Sequence, residues 1–146
     1  MIMKREAFFL FLILMAVFLQ YGFFNVWGVK PNWVLAVFAA LVVFSQNFFV
    51  NAGFLSFGAF VLKTEAFFEM EIILFIAAGA ALIFAANYFR RGSVIFVVAA
   101  AAVATLVFLP PGFYQYLTEA AMNIAIALAV FFVVKNFKIN VLAKKK

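Results

Sequence analysis

Long apolar runs, each closed by a short polar cluster, set the rhythm of this chain. Ala7 to Leu19 continues through Tyr21 and Phe24 to Trp27, and Gly28 to Asn32 forms a turn carrying Lys30. Trp33 to Phe44 and Phe48 to Leu62 flank Ser45-Gln46-Asn47. A charged patch, Lys63 to Glu71, precedes Ile72 to Phe89, which ends at Arg90-Arg91-Gly92. Ser93 to Leu109 stops at Pro110-Pro111-Gly112. A loop containing Tyr114 and Tyr116 then leads to a last run, Ala120 to Val134, with a Lys-rich tail behind it. The pattern predicts six helices over residues 7–27, 33–44, 48–62, 72–89, 93–109 and 120–134. The expected fold is all-α: a polytopic membrane protein of six transmembrane helices in a single bundle, with a short hairpin of second and third helices.

The interval 33–62 decides the topology. As one helix it would be about 45 Å long, half as long again as a hydrocarbon core of about 30 Å. That reading gives five spans; a turn at Ser45-Gln46-Asn47 gives six. Charge favours six. With six spans one side holds Lys4, Arg5, Arg90, Arg91, Lys135, Lys138, Lys144, Lys145 and Lys146, and the other only Lys30 and Lys63. Excess Lys and Arg mark the cytoplasmic side, so both termini are expected there, with Arg90 and Arg91 as topology anchors. The two hairpin helices are short for independent spans and suit a buried hairpin, a thinned bilayer or a partly re-entrant pair.

Composition agrees. Of 146 residues, 71% are hydrophobic and 11% charged, against about 45–50% and about 25% in soluble domains. Lys4 and Arg5 before an apolar run suit a signal peptide, but no small-x-small cleavage pattern comes after it, so the run reads as a retained helix. The net charge of +6 belongs to span ends and lipid head groups rather than to nucleic acid. The chain has no Cys and no His, and Asp is absent as well. That removes thiol and imidazole chemistry and the usual metal ligands, so no enzyme, metal or cofactor is expected.

Small residues four apart allow helices to approach closely where lipid gives no hydrophobic drive. Ala77, Ala81 and Ala85 do this on the fourth helix, Ala121, Ala125 and Ala129 on the sixth, and Ala52 and Ser56 on the third, while the fifth carries Ala99 to Ala102 and Ala104. They are expected as helix–helix seams, internal or toward a partner. No charge lies near an expected midplane, which argues against a proton-coupled exporter or ion pump. Thr118 and Glu119 suit the first turn of the last helix. Glu119 and Asn123, four apart on one face, form a candidate contact pair.

From Lys30-Pro31-Asn32 onward the chain resembles the rod shape-determining protein MreD family of bacterial inner-membrane proteins. The pieces that carry the resemblance are Pro31-Asn32 opening the second span, Ala52-Gly53-Phe54-Leu55-Ser56-Phe57-Gly58, Arg90-Arg91, and Glu119 to Asn123. After the third span that family often has an acidic residue and a Gly-rich turn, where this chain has Lys63-Thr64-Glu65-Ala66. The resemblance implies a non-enzymatic scaffold or assembly subunit of the cell-wall elongation machinery, in the bacterial inner membrane. Its implied partner is a single-span coiled-coil protein of the MreC kind. It also implies a layout similar to the substrate-binding subunits of energy-coupling-factor transporters. The alternatives are therefore a subunit binding a vitamin-like molecule under the loops with Phe67, Phe68, Tyr114 and Tyr116, and a small exporter or channel.

Overall fold

The computed structural model describes residues 2–21, 31–45, 47–62, 69–88, 93–107 and 112–143. These form six helices: α1 (Ile2–Tyr21), α2 (Trp33–Val42), α3 (Phe48–Leu62), α4 (Glu69–Ala86), α5 (Val94–Val107) and α6 (Phe113–Ala143). The chain breaks between α2 and α3, so the interval 33–62 is two helices. Phe44 N–H and Ser45 N–H both donate to the Leu41 carbonyl, at 3.0 and 3.2 Å, closing α2. Asn47 opens α3: its Oδ1 accepts from Phe49 N–H at 3.0 Å and Val50 N–H at 3.4 Å. An Asn at that place satisfies donors that the helix itself leaves unpaired.

α2 is the axis of the bundle. It packs against each of the other five helices, and every residue from Val34 to Val42 is buried. Val, Leu, Phe and Ala cover its whole circumference, as a helix surrounded by other helices requires. Ten residues rise only about 15 Å. Pro31 is also buried, and Asn32 caps the helix, its Oδ1 accepting from Leu35 N–H at 3.0 Å. The cap is thus Asn32, and Pro31 stands before it. Gln20, from the last turn of α1, accepts from Val34 N–H at 3.1 Å.

α3 runs opposite to the helices before and after it in the chain. Gly58 lies against Val34 and Phe75, and Gly79 against Leu55. Phe48 meets Phe84 at 6.1 Å. These pairs fix α3 antiparallel to both α2 and α4. Tyr21 Oη donates to the Val61 carbonyl at 2.9 Å, joining the end of α1 to the end of α3. At the opposite end Phe8 stacks on Phe137 at 4.5 Å, and Phe44 meets Phe131 at 5.1 Å. The start of α1 and the far part of α6 therefore share one end of the bundle.

Several boundaries differ from the expected ones. α1 begins at Ile2, because Lys, Arg, Glu and Ala are all good helix formers. Trp27 lies outside the described residues. α4 starts at Glu69 and ends at Ala86, where Asn87 and Tyr88 donate to the Phe84 and Ala85 carbonyls and tighten the turn. Ser93 caps α5, its Oγ accepting from Phe96 N–H at 3.3 Å. The largest correction concerns α6, which begins at Phe113 rather than Ala120. Tyr114 and Tyr116 are helical, with Tyr116 N–H donating to the Gly112 carbonyl at 2.9 Å. No helix-breaking residue stands between Gly112 and Thr118, so the turn that starts there propagates. Thr118 then sits inside the helix and donates back to the Tyr114 carbonyl at 2.8 Å instead of capping.

Among the described residues, α6 contains one stretch, Phe113–Phe137, long and apolar enough to cross a membrane. Trp33–Val42, Phe48–Val61, Ile72–Ala86 and Val94–Leu106 are shorter apolar helices.

Candidate functional site

The polar groups that the sequence singles out fall at two places. Pro31 and Asn32 belong to the entrance of α2, where two side-chain oxygens, Asn32 Oδ1 and Gln20 Oε1, satisfy successive backbone N–H groups. This closes the positive end of a buried helix with neutral acceptors. Tyr21 and Val61 meet at this end too. The part played by Gln20 was not foreseen, because its partner is fourteen residues away and no local spacing marks it.

The second place is the seam between α5 and α6. Asn123 and Thr105 are both buried, at 4% and 2% exposure. Thr105 Oγ1 donates to the Ala101 carbonyl at 2.8 Å and accepts from Asn123 Nδ2 at 2.9 Å. Its single proton is thus committed, which fixes the Asn123 amide with the nitrogen toward Thr105. Among the described residues Asn123 Oδ1 is left buried with no partner. Glu119, one turn earlier on α6, is half-buried. The expected pair of Glu119 and Asn123 therefore becomes a seam in which Asn123 turns to Thr105.

An unpaired buried acceptor costs free energy on the order of 1–3 kcal/mol. Asn123→Leu removes it and leaves the Thr105 bond to Ala101 in place. The expected change in stability is within about 1 kcal/mol of the native chain, because the loss of one hydrogen bond is offset by the removal of that acceptor. Thermal unfolding in detergent micelles checks this; a loss of several kcal/mol would show that Oδ1 has a partner.

A third buried polar contact joins α2 to α3. Asn51 Nδ2 donates to the Ser45 carbonyl at 2.9 Å, and Asn51 itself is 4% exposed. It ties the hairpin turn to the first turn of α3. The sequence marks Asn51 only as a polar interruption.

The alanine rows of α4 and α6 face outward, whereas on α5 Ala100, Ala101 and Ala104 are buried. Ala77 and Ala81 are exposed and Ala85 is half-buried; Ala121, Ala125 and Ala129 are all exposed. On α4 the inward face is made instead by Phe75, Ala78, Gly79, Leu82 and Ile83, and on α6 by Ala127, Phe131 and Val134. A spacing of four identifies residues that share a helical face without saying which way that face points. Internal packing at these rows is accordingly replaced by two outward faces of small side chains.

Charged side chains add little local chemistry. The Arg5 guanidinium lies over the Phe9 ring at 5.9 Å, and the Lys135 ammonium over Phe131 at 5.9 Å, both at the end where α1 starts. Arg90 and Arg91, expected as topology anchors, lie outside the described residues, as do Lys63-Thr64-Glu65-Ala66, Phe67 and Phe68. Comparison of the chain with family models, with curated proteins and with solved structures returns no match.

Proposed function

We propose that the chain is an integral membrane protein of six spans with both termini on the cytoplasmic side of a bacterial inner membrane. In this reading it is a non-enzymatic scaffold of the MreD kind, and it holds a single-span coiled-coil protein of the MreC kind in the cell-wall elongation machinery. The antiparallel order of α2, α3 and α4 supports the topology, and so does the charge pattern of the sequence, which under six spans assigns nine basic residues to one side and two to the other.

The observation that carries the scaffold reading is the outward direction of Ala77 and Ala81 on α4 and of Ala121, Ala125 and Ala129 on α6. Small side chains let a second backbone come close, and between helices in lipid that close packing replaces the missing hydrophobic drive. Meanwhile α2 fills the middle of the bundle with apolar side chains, so a vitamin-like ligand would have to sit under the loops rather than among the helices.

The test is co-purification with a single-span coiled-coil protein from native membranes. The native chain is expected to bring that partner down. Ala81→Phe and Ala125→Phe are each expected to keep the helical content and thermal stability of the native chain, since both sites are exposed. At least one of them should reduce recovery of the partner tenfold or more, about 1.4 kcal/mol. Recovery of no such partner with the native chain would end the scaffold reading.

A further inference from the structure

We infer that the bundle is cut for a hydrocarbon layer about 22 Å thick, well short of the usual 30 Å or so, and that the surface it fits is a thinned, short-chain bilayer. This rests on the membrane reading above and adds to it a preference for one class of lipid.

Three helices give the same thickness independently. Residues 48–62 on α3 lie between Asn47 and Lys63, residues 72–86 on α4 between Glu71 and Asn87, and residues 120–134 on α6 between Glu119 and Lys135. Each interval contains fifteen residues without a charged group, rising about 22 Å. Among the described residues α5 has 14 helical residues after its Ser93 cap.

These intervals are also level with one another. Leu55 lies opposite Gly79, and Gly58 opposite Phe75. Phe48 meets Phe84 near the same end. Continuing that register brings Asn47 level with Asn87. On the other side of the bundle Phe44, next to the hairpin turn, touches Phe131, one turn before Lys135. The polar ends therefore make a flat boundary at that face. Apart from Ser56 on α3, the exposed side chains between the boundaries are apolar among the described residues: Phe60 is 73% exposed, Ile73 61%, Phe84 60% and Ile95 79%.

Two effects alter the thickness that the bundle can match, and they oppose each other. Tilt shortens the span further, whereas long cationic side chains reach outward by a few Å. At the hairpin face, α3 and α4 end in Asn47 and Asn87, both exposed and too short to reach far. α6 alone could cross a thicker layer, since its apolar stretch runs over Phe113–Phe137. Doing so would draw Glu119 into hydrocarbon and leave α3, α4 and α5 too short. With the thin layer, Phe113 and Tyr114, 77% and 81% exposed, emerge at the level of the head groups, where aromatic rings are favoured.

The experiment uses the full chain in phosphatidylcholine vesicles whose monounsaturated chains have fourteen, eighteen or twenty-two carbons. Competition for the lipid shell is read from quenching of tryptophan fluorescence by brominated lipid. The fourteen-carbon lipid is expected to be preferred over the twenty-two-carbon lipid by roughly three-fold or more, with eighteen carbons between them. Equal binding, or a preference rising with chain length, overturns the inference while leaving the membrane reading intact. Release of the chain from vesicles by alkaline carbonate overturns both.

Discussion

Ala39→Phe is expected to prevent folding of the bundle. Ala39 and Ala40 have no exposed surface, and α2 is enclosed by all five other helices. Overpacking a closed core ordinarily costs about 1–3 kcal/mol, and more where no neighbour can move aside. A phenyl ring here has to displace a whole helix, because every direction around α2 is occupied. In detergent micelles the variant should lose its cooperative thermal transition and elute as aggregate. Ala125→Phe, the same change on the exposed face of α6, should melt within a few degrees of the native chain. An Ala39→Phe protein with a native-like transition would show that α2 is not central.

Gly79→Val should be almost as damaging, and it comes with its own rescue. A Cβ at Gly79 would overlap the Leu55 side chain, which is itself buried, with its Cγ only 3.1 Å away. Valine is a better helix former than glycine, so a loss of stability cannot come from propensity. The single substitution is expected to cost about 1–3 kcal/mol, and Leu55→Ala alone about 2–5 kcal/mol through the cavity it leaves. Together they should cost clearly less than their sum, because the valine fills the space the leucine vacates. Gly58 is the control: a Cβ there meets Phe75 and Val34 at 3.4 Å, an ordinary contact. Gly58→Ala should be neutral or stabilising by up to about 1 kcal/mol. Equal effects at the two glycines, or full additivity of the pair at 55 and 79, would refute the α3–α4 register.

The contrast between what the sequence reveals and what it hides has a physical source. The turn at Ser45 to Asn47 was legible because polar residues interrupt an apolar run and an Asn caps the next helix. The limits 48–62 of α3 come from the same logic, since Asn47 and Lys63 bracket them. Directions of faces were not legible. In a chain this apolar the enclosed and exposed sides carry similar residues: Phe9 and Phe131 are buried while Phe18 and Phe60 are exposed. The alternation that normally separates inside from outside is missing, so the rows at Ala77 and Ala121 could be identified but not oriented. Similarly, nothing in Trp33-Val34-Leu35-Ala36 announces a central helix. That position depends on where five other segments go. The start of α6 was missed because Tyr114 and Tyr116 next to Pro-Pro-Gly read as a loop, whereas the helix needed only the Gly112 carbonyl to begin. At the α5–α6 seam, Asn123 and Thr105 are both visible as polar residues within apolar runs; that they pair across two helices is not.

The enclosed position of α2 also bears on how the chain is made. Ten residues are too few to hold their place in a lipid layer alone, and one of the walls that encloses them, α6, leaves the ribosome after the other five helices. Until then α2 has apolar sides and two polar ends with only part of their final surroundings. Synthesis therefore passes through a stage in which the first five segments exist and the centre is still open on one side. A chain truncated before Phe113 is expected to lack the cooperative thermal transition of the native chain, because α2 then stays open along the side that α6 closes.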